Sequence, residues 1–177
     1  MEYSEIVIDG KIQFKKSYLI YIIELNHNNE NKYYYIGQTG DRNYITARPP
    51  FLRLAGHLNS QKSSTENQIY KGIAEKILKL NWNKKDELKE KVNDFLIHTI
   101  ITMSIFSIMD FDNNIDKKGH EENRIKTEEI ENELILKFIE KYGNDNIINK
   151  KYNKKRNCSD ENNIYVNKIL KKMNEIQ

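Results

Sequence analysis

This 177-residue chain has one cysteine, Cys158. That excludes an internal disulfide framework and a zinc cluster built on thiolates. A reducing, cytoplasmic setting is the expectation. Two prolines and seven glycines are too few for a flexible linker. No hydrophobic run is long enough for a bilayer: the longest apolar stretch, 95–109, is broken by His98, Thr99, Thr102, Ser104 and Ser107. The opening Met1-Glu2-Tyr3-Ser4-Glu5 is acidic, unlike a secretory signal, and no membrane partner is expected. The Gly37–Asp41 turn does not have the spacing of a phosphate-cradling nucleotide loop.

Charge and aromatic residues are what the chain does have. Its net charge is only +3, but Lys150, Lys151, Lys154, Lys155 and Arg156 lie together, with Lys168, Lys171 and Lys172 beyond them. A basic segment beside a near-neutral body points to a polyanion partner, or to a solvated surface. Eleven tyrosines are present, three of them consecutive in Lys32-Tyr33-Tyr34-Tyr35-Ile36-Gly37. Tyrosine favours half-buried strands, and the glycine marks where such a strand turns.

The pattern predicts an α+β domain over 1–149, a small central antiparallel sheet flanked by helices, followed by a basic C-terminal helix within 150–177. Glu5–Phe14 reads as a hairpin turning at Asp9-Gly10. Tyr18–Leu25 reads as a strong strand, a polar loop follows over Asn26–Asn31, and the tyrosines form the second arm of a hairpin. Pro49-Pro50 opens a short helix that places Arg53 and His57 four residues apart on one face. Helices are expected around Ile69–Ile77 and Lys85–Leu96. Thr99–Met109 reads as a strand. A last long helix starts near Glu121 or Thr127 and ends before Gly143. Its apolar stripe, Leu134, Ile135, Phe138 and Tyr142, extends backward onto Glu131. An acid facing a core is costly unless it is paired or holds a cation. Glu128, one turn earlier, reads as a complement to the dipole of an exposed helix start.

The ordered set Leu19-Ile20-Tyr21, Tyr35-Ile36-Gly37, Arg53-x-x-x-His57, Glu131-x-x-Leu134-Ile135 and Ile148-Asn149 resembles the GIY-YIG nuclease family over roughly Lys15–Asn149. Leu19 departs from the family's first glycine, and the stretch between His57 and Glu131 is long for the family, which a helical insertion at about 61–97 would account for. The resemblance implies a Mg²⁺-dependent DNA endonuclease, with Mn²⁺ able to substitute, acting on double-stranded DNA from an exposed sheet face. Tyr21 would be the general base or water positioner, with Tyr35 and His57 as its hydrogen-bond support. Arg53 would be the charge clamp, Glu131 the sole protein metal ligand, and Asn149 an ordering residue. The chemistry suits the residues. A phenol is a poor base unless a nearby cation lowers its pKa, and a guanidinium presents a fork of donors to phosphate oxygens. Lys150, Lys151, Lys154, Lys155 and Arg156 would bind the DNA backbone. One such site cuts one strand, so a homodimer is one route to a double-strand cut.

Each residue also has an ordinary reading. The tyrosines could be core aromatics, Arg53 and His57 a helix surface, and Glu131 one acid among several. Two other classes therefore stand beside the nuclease. One is a GIY-YIG-like nucleic-acid-binding module that has lost catalysis; the other is an α+β interaction protein without a nucleic-acid role.

Overall fold

The computed structural model describes residues 7–8, 10–61, 67–81, 85–150, 152 and 158–176. It is a mixed α+β fold around an antiparallel sheet that, among these residues, has three strands in the order β2-β1-β3. Strands β1 (Ser17–His27) and β2 (Asn31–Gln38) form a hairpin. Asn28 and Asn29 make its turn at φ of 52° and 57°. Asparagine tolerates this left-handed region because its short side chain bonds locally. Strand β3 (Thr99–Asp110) pairs with the other side of β1.

The central position of β1 explains its composition. Every residue from Ser17 to Ile23 is buried, because each pleated face meets helices. Leu19, Tyr21, Ile23 and Tyr35 face one cluster together with Ile69, Ile73, Val92 and Phe95. These come from α3 (Gln68–Gly72), the π-helical turn Ile73–Ile77 and α4 (Lys85–Ile97). Ile20, Ile22, Tyr34 and Ile36 face the opposite cluster with Leu134, Ile135 and Phe138 of α5 (Lys117–Tyr142). Tyr33 and Tyr35 thus face one side of the sheet and Tyr34 the other, as strand alternation requires. The expectation of an exposed sheet face is not met, since α3, the π-helical turn and α4 cover the face that carries Tyr21.

Other differences have local causes. A one-turn helix, α1 (Gly10–Gln13), stands where the second arm of the Glu5–Phe14 hairpin was expected. Residues 1–6 and 9 lie outside the described set. A lone hairpin is marginal in water, and Phe14, next to the turn, packs on Phe51 of α2 (Pro50–His57) at 5.3 Å between ring centroids. Helix α5 begins at Lys117, earlier than expected, capped by Asp116, whose carboxylate accepts from Gly119 N at 2.8 Å. It ends at Gly143 as expected, with φ 85°. Glu128 is therefore mid-helix and not at an exposed start.

The C-terminal helix, α6 (Asp160–Ile176), is not basic. Lys168, Lys171 and Lys172 are balanced by Asp160, Glu161 and Glu175. Those charges face solvent because Val166, Ile169 and Met173 are buried in the same cluster as Ile20 and Leu134. Burying three such side chains stabilises by about 1.5–3 kcal/mol each. Deleting α6 would remove much of a typical domain's stability. Of the basic residues before it, Lys150 is described, while Lys151, Lys154, Lys155 and Arg156 lie outside the described residues. No described helix is long and apolar enough to cross a membrane.

Candidate active site

Three elements converge on the Tyr21 hydroxyl. Strand β1 supplies the ring, β2 supplies Tyr35, and α2 supplies Arg53 and His57, which its four-residue spacing brings to one side. Tyr21 Oη lies 2.7 Å from His57 Nε2, and Arg53 Nε donates to the same oxygen at 3.3 Å. The Tyr35 ring stacks 6.3 Å from that of Tyr21 and 4.6 Å from the imidazole. Burial pushes the His57 pKa down to about 3, and the Arg53 charge adds to this. The imidazole is neutral throughout the physiological range. With Arg53 donating to Oη, one arrangement that satisfies both groups has the Tyr21 hydroxyl donating to Nε2 and the imidazole proton on Nδ1. No activity step near pH 6–7 should therefore be assignable to His57.

Gly37 is what allows this packing. It stands opposite Tyr21 in the β1–β2 register. A Cβ there would land inside the Tyr21 ring and hydroxyl. Gly37→Ala should cost about 1–3 kcal/mol, the usual penalty for overpacking, and should misplace the hydroxyl as well. A Tm no lower than wild type would show that the ring has room to move.

Glu131 projects from α5 and is half-buried. Burial and the neighbouring Glu128 charge push its pKa up to about 8, against the pull of Arg53 and Arg42. Among the described residues no donor bonds to its carboxylate. Glu128 differs: it accepts from Arg42 Nε at 3.0 Å and from Arg124 Nη1 at 2.5 Å. One acid is thus neutralised by arginines, and the other is left with a destabilised charge beside the phenols. That donor chemistry fits one hard divalent cation, held by a single carboxylate with water and substrate oxygens completing the shell. The described residues contain no cluster of three or more His, Cys, Asp or Glu side chains able to hold a metal.

Both site phenols have raised pKa values. For Tyr21 burial outweighs the lowering by Arg53; for Tyr35 burial is joined by the Tyr21 and Glu131 charges. The lowered phenol that general-base chemistry needs is absent from this resting arrangement. Cys158 is no alternative nucleophile, since burial and the charges of Glu133 and Glu129 push its thiol up to about 11.

Asn149 acts on backbone. Its Oδ1 accepts from Ile36 N at 2.9 Å and its Nδ2 donates to Ile36 O at 2.7 Å. Ile148 N bonds Tyr34 O at 2.8 Å, so residues 147–149 seal the outer edge of β2. This role is positioning: it fixes the strand that carries Tyr35 and Gly37. Asn149→Ala leaves two buried backbone groups unpaired and should cost about 1–3 kcal/mol. Hydrogen exchange at Ile36 should quicken in that variant, and unchanged protection there would remove the assignment.

Several residues that shape the site were not singled out from sequence. Thr39 Oγ1 accepts from Leu19 N at 3.1 Å and donates to Ser17 O at 2.5 Å, tying the end of β2 to the start of β1. His120 joins the Tyr18 hydroxyl (2.7 Å) to the carbonyl of Asp41 (2.8 Å). Arg48 grips Asp41 through Nε at 3.0 Å and Nη2 at 2.6 Å. Of these, only the Asp41–Arg48 pair had a local signal, opposite charges around a polar loop.

Fold and site together define a small mixed α+β protein in which a buried tyrosine–histidine pair and a half-buried arginine stand beside a glutamate that has no hydrogen-bond partner among the described residues. Comparison of the chain with family models, with curated proteins and with solved structures returned no match.

Proposed function

We propose that this protein is a divalent-metal-dependent DNA endonuclease of the GIY-YIG type. The observation that carries the reading is the buried Tyr21 hydroxyl held between Arg53 and His57, with the unpartnered Glu131 carboxylate beside it. A structural tyrosine needs one hydrogen-bond partner; this one has a permanent cation and a neutral base, and an acid that burial disfavours lies alongside.

Phosphodiester hydrolysis requires a positioned water, charge stabilisation at phosphorus and help for the leaving oxygen. A Mg²⁺ ion on Glu131 would supply Lewis-acid stabilisation of phosphate charge. Arg53 commits Nε to Tyr21 and has further guanidinium donors to offer a phosphate oxygen. Tyr21 has no exposed surface. For its hydroxyl to meet a water, Arg53 must give up its long 3.3 Å bond, and turning toward a phosphate does that. His57, neutral, keeps the phenol oriented through the hydrogen bond at Nε2. Tyr35 closes the other side of the ring.

The full burial of Tyr21 and the raised pKa of its phenol favour a binding module without catalysis. Incubating the folded protein with supercoiled plasmid and Mg²⁺ decides between them. Nicked or linear product that disappears with EDTA supports the nuclease. Gel retardation without cleavage supports the binding module, and neither result overturns both.

A further inference from the structure

A groove lies against the sealed edge of β2, lined by Glu75, Lys76, Lys79, Asn144, Asn149, Lys150 and Tyr152. It joins two segments far apart in sequence, the π-helical turn and the stretch that caps β2. Asn149 in its wall holds the backbone of Ile36, the neighbour of Tyr35. The groove therefore starts beside the candidate active site.

Its charge is uneven. Glu75 pairs with both Lys150 and Lys71, the latter at 3.8 Å. Lys76 donates to the carbonyl of Ile147 and feels Asp145. Four lysines thus meet two carboxylates. Lys79 is exposed, and among the described residues no carboxylate pairs with it. Burial lowers the pKa of both Lys76 and Lys150, and a neighbouring lysine lowers each further.

Lys79 also stands in a conformation that does not suit it. Its φ is 54°, in the region where glycine or asparagine ordinarily ends a helix. The turn before it is closed by Leu78 N to Ile73 O (2.9 Å) and by Leu80 N to Ala74 O (2.8 Å). Lys79 is thus strained, exposed and, among the described residues, without a carboxylate partner.

We propose that this lysine groove binds the sugar-phosphate backbone of duplex DNA flanking the site, with Lys79 and Lys150 as the phosphate contacts. The proposal rests on the nuclease reading for its choice of polyanion. It extends the DNA contact surface from the basic segment that begins at Lys150 to Lys79, just past the π-helical turn.

The test measures binding of a short DNA duplex in metal-free buffer over a range of salt concentrations. Three variants are compared: Lys79→Gly, Lys79→Gln and Lys79→Gln/Lys150→Gln. Each lost phosphate contact should flatten the log–log salt slope by about 0.9, so the double variant should lose roughly twice as much as Lys79→Gln. Lys79→Gly should bind more weakly yet melt at a higher temperature than wild type, because glycine relieves the backbone. Lys79→Gln keeps the strain and loses only the charge. A wild-type salt slope in both single variants, or a wild-type protein that does not bind duplex, overturns the groove. Plasmid cleavage by the wild type with unchanged slopes sinks the groove and leaves the nuclease. Lysine-dependent binding without cleavage does the reverse.

Discussion

Replacing Tyr21 by phenylalanine is expected to slow single-turnover DNA cleavage by about 10²–10⁴-fold, the usual worth of a positioned acid–base group. Stability should fall too, by about 1–3 kcal/mol, since removing the hydroxyl strands buried hydrogen-bonding groups on His57 and Arg53. The two losses can be separated by measuring cleavage well below the variant's Tm. Tyr35→Phe should cost no more in rate than Tyr21→Phe. Tyr34→Phe should leave the rate alone, because that ring packs against Phe138 and Tyr142 on the opposite face. A slow Tyr34→Phe with a normal Tyr35→Phe would contradict the site; the register of β2 gives no way to reconcile it.

Glu131→Gln carries the other large effect. Cleavage should fall to background at matched metal concentration, while the fold and much of the DNA affinity persist. Glu128→Gln should lose its arginine bridges and keep the chemistry. A second readout needs no DNA. The Glu131 pKa of about 8 in the folded protein lies above its value of 4.5 in the unfolded chain. Between those values the folded state holds the proton more tightly, so wild-type stability falls as pH rises through pH 4.5–8. The amide removes this dependence. Without metal, Glu131→Gln should be the more stable protein at pH 8, by about 1–3 kcal/mol after discounting for solvent at a half-buried carboxylate. Adding Mg²⁺ should stabilise wild type alone. Equal pH–stability curves for the two proteins would place Glu131 in ordinary solvent.

How legible was this in the residues? The hairpin was, because alternation and the tyrosine run fix both the strand and its register. The Arg53–His57 face was, because four-residue spacing is helix geometry. Glu131 emerged from the backward extension of an apolar stripe, a long-range inference from a local pattern. The early start of α5 was not legible, since Lys117–Asn123 has no apolar face to reveal it and only Asp116 marks the cap. The covered face of β1 was not either. Strict alternation and two-sided burial differ only in the odd positions, and here those positions hold Tyr21 and Leu19, which suit both readings. Asn149 could be placed by order along the chain, but its bond to Ile36 spans 113 residues, a distance over which no spacing rule speaks.

The sealing of β2 by residues 147–149 bears on how the chain is made. Ribosomes deliver the β1–β2 hairpin first, with the whole cluster of Tyr21, Tyr35, Arg53 and His57 complete by residue 57. At that moment both outer strand edges are open. β1 waits for β3, and β2 waits until Asn149 has been synthesised. Unpaired hydrophobic edges on nascent chains are templates for wrong pairing. Glu24 and Lys32 on the hairpin, joined by an ion pair of 3.1 Å, are charges of the kind that blunt such edges. The last strand-like residues made are thus the ones that end the hazard, so chains released before that point should aggregate through β2.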